Sequence, residues 1–322
     1  MLKKIILFFI FLLITAVISA SEPESFIPGN SPQVVRVNAN RIVQLPWLRN
    51  LFKATDEKCR EIGLLLDELK KHNIEPSVFF AGDLWITPIG NTGKEFVILL
   101  KTALPEARFA EFFNAQKTRN KNLELDISQL NGHNIYTVKY APAYKAAGEK
   151  PFLATYMAND VIAVIPFGNE SAAHINQLQA DNNNALVKTV DRKKLCAMIS
   201  NAVNKKSKFR SINATADLTG AEQRDITLNA AISYKNAKTA LRKAMEMQFI
   251  APSFAGLLFG NDQKLMEELT NSLQIVPIKE KVNVCFILTK SVQEKITAYL
   301  AKPENVPALN ISPEELSNFD QP

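Results

Sequence analysis

Two hydrophobic periods divide this chain into strands and helices. In VVRVNAN, Val35, Val37 and Ala39 alternate with Arg36, Asn38 and Asn40. A period of two sets one side on a core and the other in water, so the pattern predicts a strand with Arg36 on its wet face. Pro46 heads a short predicted helix with Trp47, Leu48, Leu51 and Phe52 on one side. A longer one follows, from about Asp56 to Lys71, with Lys70, Lys71 and His72 at its negative pole. SVFFAG, DLWITP and EFVILL read as strands. Leu104-Pro105 starts a helix in which Phe109, Phe112 and Phe113 recur at i, i+3 and i+4. Asn131-Gly132, between LDISQL and HNIYTVKY, is a strong hairpin signal. Ala158-Asn159-Asp160 divides a second hairpin, FLATYM and VIAVIPF.

Residues 169–189 read as a short helix and the polar run ADNNN, a junction between halves. After it, DRKKLCAMISNAV is predicted to be a helix, and the basic stretch from Lys188 to Arg210 to be a solvated helix face. Two alternating strands follow. Ile212, Ala214, Ala216 and Leu218 share one side of the first; Ile226, Leu228, Ala230 and Ile232 share one side of the second. Helices are predicted near Asn236–Gln248 and Asp262–Leu273. The hairpin LQIVPI–KEK–VNVCFIL and the helix SVQEKITAYLAK close the ordered pattern. From Lys302 the chain is Pro-rich, acidic and without period, which predicts a loose tail.

A strand runs directly into a helix at FVILLKTALPEARFAEFF, LNAAISYKNAKTALRKAM and VCFILTKSVQEKITAYL. Hairpin-linked strands with interspersed helices predict an α+β fold: antiparallel sheets with helices on one face, in two related ferredoxin-like halves. The expected division is a leader over 1–20, a first domain over 27–180, a second over 187–302 and the tail over 303–322. The lead FIPGNSPQVVRVNANRIVQLPWLRNLF resembles a group of uncharacterised exported bacterial proteins, and PEARFAEFF, NGHNIYTV and the hairpin before the Asn-rich junction match the order of elements in that group. The resemblance implies a repeated α+β fold and no assigned activity. It transfers no site residues.

The leader changes the picture most. Lys3 and Lys4 precede an unbroken apolar run from Ile5 to Ile14, followed by small residues at Ser19, Ala20 and Ser21. That is the make-up of a cleaved secretory signal, and the run is too short for a membrane anchor. No cysteine lies near the cut, so a lipid anchor is not expected, and no second apolar stretch predicts a transmembrane span. The expected location is the periplasm or the medium. The formal charge of +6 suits an anionic partner, but export removes nucleic acid from the expected ones. Cys59, Cys196 and Cys285 each sit in an apolar pattern and are expected as free thiols, with one disulfide formed after export as the alternative.

No G-x-S-x-G, H-E-x-x-H, C-x-x-C or phosphate-cradling glycine loop occurs, so the sequence offers no catalytic, cofactor-binding or metal residue set. His72, His133 and His174 fall in separate elements, without ligand spacing. Two places invite a sharper reading. A turn centred near Ala221 would oppose Asp217 to Asp225, Thr215 to Thr227 and Asn213 to Asn229, giving either a solvated sheet face or a weak oxygen-ligand cation site. MQFIAPSFAGLLFG, at 247–260, reads as a buried helix–turn–helix corner around Pro252, or as an exposed patch of Phe249, Phe254, Leu257, Leu258 and Phe259 for a partner or a membrane surface. The expected function is non-enzymatic binding to a protein or cell-surface component of the envelope. The alternative is an envelope hydrolase with scattered carboxylates such as Asp83, Asp126 and Asp160.

Overall fold

The computed structural model describes residues 23–43, 45, 69–89, 95–119, 123–130, 132–140, 152–157, 160–165, 178, 184–201, 209–220, 224–259 and 262–300. The predicted leader, the Pro46 helix, most of the Asp56–Lys71 helix with Cys59, His174 and the tail lie outside them.

Twelve strands form one sheet in the order β11-β12-β10-β9-β8-β1-β2-β3-β7-β6-β5-β4, antiparallel throughout. They are β1 Gln33–Val37, β2 Leu84–Ile89, β3 Glu95–Lys101, β4 Leu123–Leu130, β5 His133–Tyr140, β6 Phe152–Met157, β7 Val161–Ile165, β8 Cys196–Asn201, β9 Ser211–Thr219, β10 Asp225–Ser233, β11 Leu273–Ile278 and β12 Lys281–Leu288. The helices are α1 Ala39–Val43, α2 Pro76–Phe79, α3 Glu106–Arg119, α4 Ala237–Phe259, α5 Gln263–Asn271 and α6 Lys290–Leu300. The α+β class stands, and each predicted strand-into-helix passage is present, as β3–α3, β10–α4 and β12–α6.

β1 and β8 meet at the centre, Gln33 opposite Ser200 and Val37 opposite Cys196. Outward from this pair, β1-β2-β3 is followed by β7 and β6, with β5 and β4 beyond them, and β8-β9-β10 is followed by β12 and β11.

The helices pack on one face. Phe109 is the hub of an aromatic cluster there, with ring centroids 4.8 Å from Phe113, 5.4 Å from Tyr136 and 5.9 Å from Tyr156. Ala240 and Ala244 seat α4 on Ile275 and Val282, while Leu265, Leu269, Val292 and Tyr299 join α5 to α6. The other face of the central strands is covered by Phe26, Ile27, Val187 and Val190, which pack on Trp85, Val97 and Leu99. Beyond β8 that same face carries Asn213, Thr215, Thr227 and Asn229, with Val276 and Ile278 exposed near the edge.

Several expectations are corrected. The predicted helix at DRKKLCAMISNAV is the strand β8. It lies between β1 and β9 with Cys196 in the core of one face and Ala197 and Ile199 in that of the other. A strand covered on both sides shows a continuous apolar run rather than alternation, so its sequence does not distinguish it from a helix. Over its described residues, 188–201 and 209–210, the basic stretch around it accordingly contains no α-helix. The predicted strand SVFFAG is replaced by the short helix α2, which takes in its Ser77–Phe79 and has Pro76 at its first turn, where the missing N–H costs nothing. Arg36 does not face water: it is 4% exposed. The 247–260 segment is no corner, because α4 runs through Pro252 to Phe259 as one helix.

The Asn131-Gly132 hairpin is present, Leu130 pairing with His133 and Gly132 at φ +82°. A left-handed residue there closes the hairpin, which is the reason for glycine. Asp160, at φ +55°, turns the chain between β6 and β7. At the far edge, Pro277 lies in β11. An edge proline withholds a donor that a further strand would use, which guards this edge against added pairing.

Candidate functional site

Antiparallel order brings β1, β3 and β9 to their C-terminal ends where β2, β7, β8 and β10 begin. The charged residues at those seven ends form one rim. Arg36 stands directly across from Trp85, so its guanidinium points to the same side as Asp83, two residues before. Asp83 takes a two-pronged bond, Oδ2 from Nε and Oδ1 from NH2, each at 2.6 Å. The third guanidinium nitrogen, NH1, donates to the Lys194 carbonyl at 2.8 Å. Lys194 Nζ lies 3.1 Å from Asp217, and Arg41 adds a second cation at 3.6 Å. On the other side Lys101 pairs with Asp160 at 3.7 Å, and the Tyr156 hydroxyl lies within hydrogen-bond distance of Asp160 Oδ1 (3.0 Å) and the Leu104 carbonyl (2.9 Å). Arg192 pairs with Glu24 and stands 5.9 Å over the Trp85 ring. Gly82 is needed beside this rim, since a Cβ there would come within 2.2 Å of Lys101 Cβ.

The carboxylates suggested by sequence are therefore not gathered at one point. Asp83 and Asp160 are held by cations on different strands, and Asp126 is exposed on the edge strand β4, opposite Thr137. A general acid or base has to exchange its proton with a reacting group. Asp83, with both oxygens committed to a buried guanidinium, is poorly placed for that.

Asp217 and Asp225 are not opposed. Asp217 stands across from Thr227, and Asp225 from Thr219. The turn centres one residue later than Ala221, which shifts every partner by two positions. Thr215 faces Asn229 and Asn213 faces Ala231. The Thr219 and Thr227 hydroxyls, 2.6 Å apart, lie between the two carboxylates. Asp217 is turned to Lys194 and Arg41, while Asp225 Oδ1 accepts the Lys290 N–H at 2.8 Å. Among the described residues no group of three or more His, Cys, Asp and Glu side chains could hold a metal.

Cys196 and Cys285 are free thiols. Burial pushes the Cys196 thiol up to about 12, against a smaller downward pull from Arg36. Burial also raises Tyr136, Tyr156 and Tyr234, with Asp160 adding to the effect at Tyr156. The fold thus favours the protonated forms, whereas an unfolded chain releases these protons from about pH 8.5 for cysteine and about 10 for tyrosine. Stability is complete below that window and is lost as pH rises toward the folded values. Thermal melts are expected to be flat from about pH 7 to 8 and to fall steadily above about pH 9; a melting temperature unchanged up to about pH 11 would contradict this.

A second feature lies on the outer face of α4. Leu241 is 52% exposed, Met245 61% and Phe249 81%. Four-residue spacing turns only about 40° around a helix, so the three make one stripe. Lys238 and Arg242 are exposed beside them. Of the alternative patch at the end of this helix, Phe249 is exposed; the side chains of Phe254, Leu257, Leu258 and Phe259 lie outside the described ones, while their backbone is helical. The sequence missed Leu241 and Met245, because the expected helix stops at Gln248 and so cuts the i, i+4, i+8 line just before Phe249. Among the described residues no helix is long and apolar enough to cross a membrane.

Fold and side chains together define an α+β protein with a charge-paired sheet rim and a solvent-facing apolar helix stripe. Comparison with protein-family models, with curated proteins and with solved structures finds no match.

Proposed function

We propose that this chain is an exported, non-enzymatic binding protein of the cell envelope, its export supported by the make-up of the leader, and that α4 carries its contact surface. The stripe of Leu241, Met245 and Phe249 is the observation that carries the reading. An apolar stripe of this exposure on a helix already seated by Ala240 and Ala244 contributes nothing to the fold's own core. The committed carboxylates of the rim weigh against the hydrolytic alternative. We read the halves as related ferredoxin-like repeats. The matching strand orders on either side of β1 and β8 support this, as does the placement of β12 between β10 and β11, the strands that flank α4 and α5.

The test places a benzophenone amino acid at position 249 of the full-length precursor, expressed with its leader. Irradiation of the envelope fraction is expected to give discrete adducts, carried by a chain whose mass lacks the first twenty or so residues. An unprocessed cytoplasmic chain without adducts would overturn the reading.

A further inference from the structure

We propose that the outer face of α4 docks on an anionic lipid surface. This rests on the reading of the chain as an exported binding protein and names the partner of the same surface. Leu241, Met245 and Phe249 rise toward solvent along one line, and Ile250 adds a fourth exposed apolar side chain. Lys238 lies one turn ahead of Leu241 on this side of the helix and Arg242 borders it, Lys235 precedes the helix, and Lys243 is partly exposed. Glu246 is the one acidic residue in the whole helix; it is paired with Arg242 at 3.6 Å and with Lys243. Apolar side chains bordered by cations are the composition of a helix that lies in a membrane interface, where the apolar side enters the headgroup boundary and the cations meet anionic lipid.

The charge pattern favours lipid over a second copy of this chain. Face-to-face pairing of two such helices would set Lys238 and Arg242 of one near the cations of the other, with a single committed Glu246 on each side to offset them. An anionic surface complements every cation at once. The opposite side of α4 is fixed to β11 through Ala240, Ala244, Ile275 and the Gln248 bond to the Ile275 carbonyl at 2.9 Å. The stripe can therefore engage a surface without the helix leaving its seat.

The experiment floats the full mature chain with vesicles of equimolar phosphatidylcholine and phosphatidylglycerol, and with vesicles of phosphatidylcholine alone. The native protein is expected to float with the anionic vesicles and to release from them at about 1 M salt, where charges are screened within ~3 Å. Lys238→Gln with Arg242→Gln is expected to lower partitioning by about 25-fold, roughly fivefold for each cation. Met245→Asp with Phe249→Asp is expected to abolish it while melting stays native, since both side chains are exposed. The proposal is overturned if native protein ignores anionic vesicles, or if the aspartate variant floats equally well. It is also overturned if light scattering shows a native dimer that the aspartate variant separates. If vesicles are ignored while the position-249 probe still captures an envelope protein, the lipid assignment falls and the binding reading stands; if both are silent, both fall.

Discussion

Arg36→Met is expected to destabilise the protein by about 3–5 kcal/mol, because it strands Asp83 beside the core without its cation. Methionine keeps most of the apolar stem, so packing loss is small and the charge effect is isolated. At about 2.1 cal/mol/K of unfolding entropy per residue, a chain of this size should lose about 5–8 °C in melting temperature. The same substitution frees the Lys194 carbonyl, so the joint between β1 and β8 weakens with it. Pairing Arg36→Met with Asp83→Leu should return at least half of the loss, since an apolar replacement of both partners leaves no uncompensated charge. Melting by circular dichroism checks this. A single variant that melts like the native protein would show that the pair, buried as Arg36 is, contributes little.

Phe109→Ala is expected to cost about 3–5 kcal/mol, and Phe249→Ala to stay within about 0.5 kcal/mol of native. Both phenylalanines lie in helical, phenylalanine-containing stretches. Phe109 is buried and touches Phe113, Tyr136 and Tyr156 at ring distance, so truncation leaves a cavity between α3 and the sheet. Phe249 faces water, and its removal exposes nothing new. Urea unfolding of the two variants in parallel gives the comparison. Equal losses would mean that α4's outer face is packed in solution and would remove the contact surface.

These two residues show what the sequence can and cannot reveal. The strand and helix series was legible wherever one face is wet and the other dry, as at β9, β10 and α3, because the period then survives. It failed at β8, whose two faces are both buried, and at α2, where a short apolar run after Pro76 fits either class. Alternation placed Arg36 in water because a period of two separates faces but carries no information about what covers them. The cover comes from the Phe26–Ile27 lead, just ahead of β1, and from the Val187–Val190 segment, which is remote from β1 in sequence. The rim was hidden for the same reason: Arg36, Asp83, Lys194 and Asp217 become neighbours only once β1 is inserted between β2 and β8. The Asp217–Asp225 pairing failed on a single residue in the position of the turn's centre, since a shift of one there moves each partner by two.

The patch was half legible. Its apolar content was plain, but Pro252 was read as a break, whereas an isolated proline inside a long helix removes one N–H bond to Gln248 without ending the element here. The exposed stripe starts well before it, at Leu241.

The central claim is that the Leu241–Met245–Phe249 line is where this protein meets its partner, and cross-linking yield at two positions tests it most directly. A benzophenone amino acid at position 249 should give adducts in the envelope fraction, and one at position 213, on the opposite sheet face, should give few. Equal yields at both positions, or adducts only at 213, would contradict the account.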